Sequence, residues 1–432
     1  MRTRVFIYQT TALLFLLLLN GSVVSAQEQS APVGDNRHAM ELAQKSPMVQ
    51  SAYRYLRARA AKIGDERLRK ETRDAIGNAR TCIRHRAGLS VEDKKRIAEI
   101  LIASGLADAK DDATFPGGLE RGIFPPVLDD GSNCPRLLQP FFSAPGGSFG
   151  SHHSYPGGLP IHEANNELAA INLASQYRKM YGQSNGGIVT MPTAMPELSG
   201  AARSDVFIDQ DIILAAPIWH DWAKAIVFQW NADGSEFKEL ELGGNGLNDN
   251  NGAVGNSRTG SHHILGLAEI MRRGLRPALV ITVASAHTAP TPANEYKVVN
   301  WLRTAAIIAK INPVQAGYLA RDDSGRLRLP ALRKLGSIDL GPTSSNLLPE
   351  YAIHNLSDAD FTYSVPATAA AEAVLQQLAP KFGFNPADTA NYNNLFRNRV
   401  LSLLTAERLF MIYSEKGIEG AEKEIRRLPK LP

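Results

Sequence analysis

The segment Asp209-Gln210-Asp211-Ile212-Ile213-Leu214-Ala215-Ala216-Pro217-Ile218-Trp219-His220-Asp221-Trp222-Ala223-Lys224 reads as an apolar helix that ends in two polar residues side by side. A helix apolar on every face belongs inside a protein, packed by other helices. Its end then delivers His220 and Asp221 into a buried place. An adjacent His and Asp offer one nitrogen and one oxygen ligand to a transition metal. Lys224, three residues on, is suited to contact a phosphate or to pair with a carboxylate. Without a metal the same residues read as a buried His220 hydrogen-bonded to Asp221.

The remaining histidines gather around this segment. Ten occur in 432 residues, and seven fall between Ser151 and His287. They come in phrases: Ser151-His152-His153-Ser154-Tyr155, then Gly157-Gly158-Leu159-Pro160-Ile161-His162-Glu163, then Ser261-His262-His263-Ile264 and Ser285-Ala286-His287-Thr288. The two glycines permit a tight turn, which puts His162 in the first turn of a helix with its ring toward the interior. Neighbouring residues on a helix point in different directions, so each His-His pair is expected to send one ring inward. His38, His85 and His354 read as unrelated to this group. Only Cys82 and Cys134 are present. Two cysteines do not make a thiolate zinc site, so a metal here is held by His, Asp and Glu. In an oxidising compartment the two thiols can pair, closing a loop worth roughly 4 kcal/mol on a chain-entropy basis.

Outward from the histidine region the patterns stay helical. Tyr55, Leu56, Ala60 and Ile63 recur at helical spacing, as do Ile97, Ile100 and Leu101. Ser90-Val91-Glu92-Asp93 has the form of a capping box. Ile161 to Tyr181 reads as one long helix, with Ala164, Leu168, Ile171 and Ala174 along a face. His263 to Met271, Asn300 to Lys310, 366–379 and 392–416 read as further helices, the last stopped by Gly417. Residues 27–47 read as polar and loose, 115–150 as an extended Pro/Gly-rich connector, and 182–204 and 243–258 as loops. The fold class is all-α, and no alternation supports a large sheet.

The run from His152 to His162, with the apolar helix ending in His220-Asp221-Trp222-Ala223-Lys224, resembles the HD superfamily of metal-dependent phosphohydrolases. Within it the chain is most similar to the bacterial 3′–5′ exoribonuclease branch, whose motif runs His-His-x-Tyr-x-Gly-Gly-Leu-x-x-His. The resemblance covers about 151–310, roughly a third of the chain. It implies an HD-type helical bundle over 151–312. An N-terminal helical region (27–114), the connector (115–150) and a mainly helical C-terminal region (313–432) flank it. It implies that His162, His220 and Asp221 bind a first metal and that His263 and His287 extend the site toward a second. His263 is preferred to His262 because it aligns with the helix that follows. Asp221 also orients the attacking hydroxide in this picture, and Lys224 or His153 holds the non-bridging oxygens. One or two ions of Mn, Fe or Zn suit such ligands. The substrate is expected to be a small phosphorylated compound. Two departures stand out. The stretch Trp301 to Lys310 carries no acid where the family has a late Asp, leaving Glu295 and Asp205 as candidates, and Ala286 stands where a second paired histidine is expected. A degenerate module that binds a ligand or partner, and a di-iron oxygenase, are therefore the alternatives.

Composition bounds the rest. Charged residues make 21% of the chain and the net charge is +4, too small to argue for nucleic acid across the whole surface. Residues 51–100 are the exception, with 14 Lys/Arg against 7 Asp/Glu. They read as a solvated helix face or as a docking surface for an anionic partner. Arg2 and Arg4, the apolar run Ala12 to Leu19, and Val24-Ser25-Ala26 have the form of a cleavable export signal over 1–26. The expected location is therefore periplasmic or secreted.

Overall fold

The fold is described by a computed structural model covering residues 36–128, 131–182, 206–235, 238–244, 256–290, 294–332 and 349–429, with the backbone of 184–185 and 188–189. It is mostly helical, 61% helix against 4% strand. The strands among the described residues form three antiparallel pairs of two residues each. The segment read as an export signal, Asp205 and most of the loop 182–204 lie outside the described residues. Residues 31–432 form one compact unit. Among the described residues no helix is long and apolar enough to cross a membrane.

The helix Gln210–His220 runs through the middle. The Asp209 side chain accepts from the backbone N–H groups of Asp211 and Ile212, satisfying two donors that a helix start leaves free. From Ile212 to His220 every residue is buried. The helices Gly158–Tyr181, Pro277–Ala284, Pro349–Ser357, Ser261–Arg272, Pro47–Ala60 and Glu66–Gly77 pack around it. Trp219 and Trp222 are fully buried and still satisfy their indole N–H groups, on Thr72 Oγ1 and the Ala75 carbonyl, each at 2.9 Å. Burial of such large side chains contributes about 1.5–3 kcal/mol each. Leu279 to Val283, an apolar run, forms the buried face of the helix Pro277–Ala284.

A second core joins the first and last helices among the described residues. Ala43 and Val49 pack with Leu375, Phe396, Leu401, Leu409 and their neighbours from the helices Phe361–Leu378, Tyr392–Arg397, Asn398–Leu404 and Ala406–Arg426. Over 36–47 this corrects the reading of 27–47 as loose, while 27–35 lie outside the described residues. Asn36–Lys45 is a helix whose Ala39, Leu42 and Ala43 are buried, and the Asn36 side chain accepts from Trp230 N–H. Gly417, at φ 63° and ψ −166°, is non-helical and stops one helical stretch of Ala406–Arg426, a second following across the kink to Arg426. A further break falls at Thr405, also at φ 63°. The stretch 115–150 is not a simple strap, since Gly118–Ile123 is helical and Phe141, Ser143 and Ala144 are buried. Cys82 and Cys134 are joined in a disulfide.

Candidate metal centre

Each histidine is delivered by a local feature of the chain. Gly157 turns at φ 81°, and a Cβ there would come within 2.4 Å of the Val49 side chain. A Cβ on Gly158 would lie 1.9 Å from the His153 carbonyl. Only glycines let this turn close, and it starts the helix Gly158–Tyr181 with His162 buried in its first turns. His220 is the last residue of the central helix and Asp221 its cap. A fourth group arrives from far along the chain. Asp358 and Asp360 lie in the turn between Pro349–Ser357 and Phe361–Leu378.

Their ligand atoms converge. His162 Nε2 lies 3.2 Å from Asp221 Oδ2 and 3.3 Å from Asp358 Oδ1. His220 Nε2 lies 3.3 Å from Asp221 Oδ1 and 3.2 Å from Asp358 Oδ1. Ligands ~2.1 Å from an ion sit ~3.0–3.4 Å from one another in octahedral or tetrahedral geometry, so these separations fit one coordination shell. Donor atoms of His220, His287 and Asp358 lie within 4.8 Å of one another, and so do those of Asp221, His262 and His287. Asp221 thus belongs to two adjoining clusters, and the arrangement can hold a metal ion. Both ring nitrogens of His162 and both carboxylate oxygens of Asp221 are sealed from solvent, and none makes a hydrogen bond of proper geometry. Buried polar atoms are rarely left so. The donor set therefore fits a cation.

The second nitrogen of each ring is braced. His162 Nδ1 lies 3.1 Å from Asp360 Oδ1. His220 Nδ1 lies 3.4 Å from the Pro217 carbonyl and 3.5 Å from Glu163 Oε1. His262 Nδ1 meets Glu239 Oε1, and His287 Nδ1 lies 2.8 Å from Thr259 Oγ1. At His262 and His287 a hydrogen-bonded oxygen on Nδ1 fixes ring orientation and leaves Nε2 as the ligand, the usual outer arrangement of metal-binding histidines, while at His162 and His220 a carboxylate stands behind the ring at ion-pair distance.

The electrostatics match. Burial disfavours charge on His162 and His220, but Asp360 beside the first and Asp221 beside the second raise both well above the ordinary histidine value. Asp221 and Asp358 are buried, yet the charge of His220 holds each carboxyl well below the usual range. His152 is pushed well down by burial and then by Lys224. Burial, then the charge of His220, lowers His354 to about 3. His287 is exposed at the rim, but the protein mass behind its ring, followed by His262, takes it down to about 4.

A cavity of about 610 Å³ opens onto these groups, with His152, Lys224, Arg258, His262, His287 and Lys297 among its walls. Lys224 Nζ reaches the Gly146 carbonyl, Asp221 Oδ2 and, at 3.2 Å, His152 Nε2. Arg258 is engaged by Asp111 and Glu241. Asn256 and Arg258, at the end of the Gly/Asn-rich loop, line the cavity, while 245–255 lie outside the described residues. The basic stretch 51–100 builds a different cleft of about 740 Å³, lined by Arg54, Arg57, Lys70 and Arg73, away from any His/Asp cluster.

Placement of the expected residues is mixed in detail. His162, His220, Asp221 and His287 come together. Of the pair at 262–263, His262 presents Nε2 to Asp221 at 3.2 Å, while the preferred His263 turns inward, stacked on His287 at 4.1 Å and edge-on to Trp301. His153 does not line the cavity. It is enclosed by Tyr155, Asp360 and Glu407, and His152 takes the wall position. Glu295, a candidate for the late acid, is bound to Arg328 and the Leu329 N–H instead. Asp358, Asp360, Glu239 and His354 were not foreseen. His354 packs edge-on to His220 at 5.2 Å, and the Asp358-Ala359-Asp360 spacing just beyond it was the one available signal. No family model, curated protein or solved structure matches the chain.

Proposed function

We propose that this chain is an HD-type metal-dependent phosphohydrolase, acting outside the cytoplasm on a phosphoester of a small molecule. The observation that carries the reading is the convergence of His162, His220, Asp221 and Asp358 on one point, with an oxygen partner behind each ring. Asp358 supplies the carboxylate that the stretch Trp301 to Lys310 lacks, which weakens the case for a degenerate module. His262 and His287 extend the set on the other side of Asp221, consistent with two ions. Bound Mn, Fe or Zn supplies an activated water and neutralises charge developing on phosphoryl oxygens. Asp221 orients that water. Lys224 and His152, in contact with each other on the cavity wall, provide positive charge and N–H groups for non-bridging oxygens. The Cys82–Cys134 disulfide supports an oxidising location.

Elemental analysis of protein recovered from the periplasm, followed by a phosphoester screen, tests this. The expected result is one or about two equivalents of Mn, Fe or Zn. His220→Ala should lose metal and hydrolysis together while far-UV circular dichroism persists. Absence of metal after reconstitution, or hydrolysis untouched by the substitution, overturns the reading. Dioxygen consumption by an iron-loaded form without hydrolysis transfers the site to oxygenase chemistry.

A further inference from the structure

A third cleft, of about 730 Å³, lies between the helix Val91–Ala103, the end of the helix Glu295–Ile308 and the strand pair Ala320–Arg321 with Leu327–Arg328. Its apolar lining comes from Ile97, Ile100, Ile307, Ile311, Val314 and Leu327. Ile100 and Val314 are exposed there. Its charge is one-sided, since Arg96, Arg303, Lys310 and Arg321 face a single carboxylate, Asp93. That carboxylate is already used. It binds Lys310 Nζ at 2.7 Å and accepts from the backbone N–H of Ser90 in the capping box. Arg321 is turned onto the Gly325 carbonyl at 2.6 Å.

Arg303 is the anomaly. It is half-buried, its Nη1 is sealed from solvent, and that nitrogen has no hydrogen-bond partner. Burial alone lowers its pKa, with no carboxylate opposing it. A buried donor left unmade costs about 1–3 kcal/mol, and more when the group is charged. Arginines in such positions are normally paired. Arg303 forms part of the cleft wall, so a small turn of its guanidinium toward an anion there removes the penalty, and the isoleucines beside it need an apolar body.

We propose that this cleft is a binding site for an amphiphilic anion, a single carboxylate or phosphate head on Arg303 with an alkyl tail along Ile97, Ile100 and Ile307. The volume lies within the range of small-molecule sites, ~300–1,000 Å³. The site is separate from the metal centre and independent of its chemistry. The helix Glu295–Ile308 borders both, with Lys297 and Trp301 on the metal cavity and Arg303 and Ile307 on the cleft.

Calorimetric titration of the full protein tests the proposal, with decanoate and decyl phosphate below their micelle concentrations and with decanol and inorganic phosphate as controls. One saturable site for an anionic amphiphile is expected. The head that binds more tightly identifies which anion is preferred, and binding by either supports the site. Arg303→Met should weaken binding by about tenfold or more. Ile100→Glu, on an exposed position that leaves folding intact, should weaken it similarly by placing a negative charge in the tail path. No saturable binding by either amphiphile overturns the proposal. So does decanol binding as tightly as decanoate, inorganic phosphate binding as tightly as decyl phosphate, or binding undisturbed in both variants.

Discussion

Two buried polar clusters lie on opposite ends of the same helix, Ser261–Arg272, and they are built to opposite rules. At its far end Arg273 spends its guanidinium on Glu269 Oε1 at 2.7 Å, Glu71 Oε2 at 2.9 Å, Asp74 Oδ2 at 3.0 Å, Thr81 Oγ1 at 2.9 Å and the Cys82 carbonyl at 3.0 Å. Glu269 also accepts from His85 N–H and faces His85 Nδ1 at 2.8 Å, and Arg273 stacks over Trp219 and Trp222. At its near end His262 looks into a cluster where His162, Asp221, His263 and His354 all keep buried atoms without hydrogen bonds. The first cluster closes around Arg273 and Glu269, leaving His85 Nε2 without a hydrogen bond, and such networks rigidify a fold. The second leaves most of its ring nitrogens and carboxylate oxygens within ion-pair distance of one another without hydrogen bonds. Burial and charge alone do not separate a structural network from a site. Whether the hydrogen bonds close does.

The sharpest way to break this contrast is Asp358→Ala. It should remove more than about 100-fold of metal affinity, the ceiling for losing an outer partner of a ligand. Thermal unfolding of the metal-free protein should fall as well, because Asp358 there neutralises the His162 and His220 rings, so the diagnostic is metal affinity per folded molecule. Unchanged metal affinity in the folded variant would place Asp358 among structural groups instead. Arg273→Met should cost stability alone. It leaves Glu269 and Glu71 buried without their cation and should cost about 3–5 kcal/mol in denaturant unfolding. Metal content per folded molecule should stay unchanged.

The closed network also has a pH signature. Glu269 is buried, but its hydrogen bond to His85 and the charge of Arg273 hold its carboxyl down at about 2. The unfolded chain takes up that proton first, near the ordinary glutamate value of ~4.3. Its contribution is therefore fully present above ~4.3 and is lost as pH falls from there toward 2, amounting to about 3 kcal/mol. The gap in unfolding free energy between wild type and Glu269→Gln should shrink by that amount across the window. A gap that stays constant contradicts the assignment.

Legibility in the sequence followed the range of the interaction. The helix that ends in His220 and Asp221 was readable because its apolar run is continuous, and the turn before His162 because only glycines fit there. Both are local. The choice between His262 and His263 was not readable, because adjacent helical positions differ by a large rotation and the phase depends on the helix starting at Ser261. Asp358 was beyond reach for another reason. The late acid was sought in the helix Glu295–Ile308, whereas the chain first passes through a strand pair and returns by the helix Pro349–Ser357. The only local mark is the Asp358-Ala359-Asp360 spacing after His354, which does not by itself tell a ligand from a turn. The helix Asn36–Lys45 was hidden similarly, since its short apolar stripe is matched only by partners near the other end of the chain.

The finest test concerns the outer partners of the rings. Glu239 accepts from His262 twice, through the backbone N–H at 2.8 Å and through ring Nδ1. The charge of His262, with these hydrogen bonds, keeps the Glu239 carboxyl low despite burial. If His262 is a ligand through Nε2, Glu239 sets its tautomer and strengthens it as a donor. Glu239→Gln keeps an oxygen acceptor and most of the shape but loses the charge. It should weaken metal binding about 10–100-fold at the sub-site of Asp221, His262 and His287. The sub-site of His162, His220 and Asp358 should keep its ion. A metal titration resolving two affinities, with only one displaced, fits that division. Equal loss at both would mean that Asp221 ties them into a single unit, and no loss at either would leave Glu239 as a cap for the helix start at Ser261.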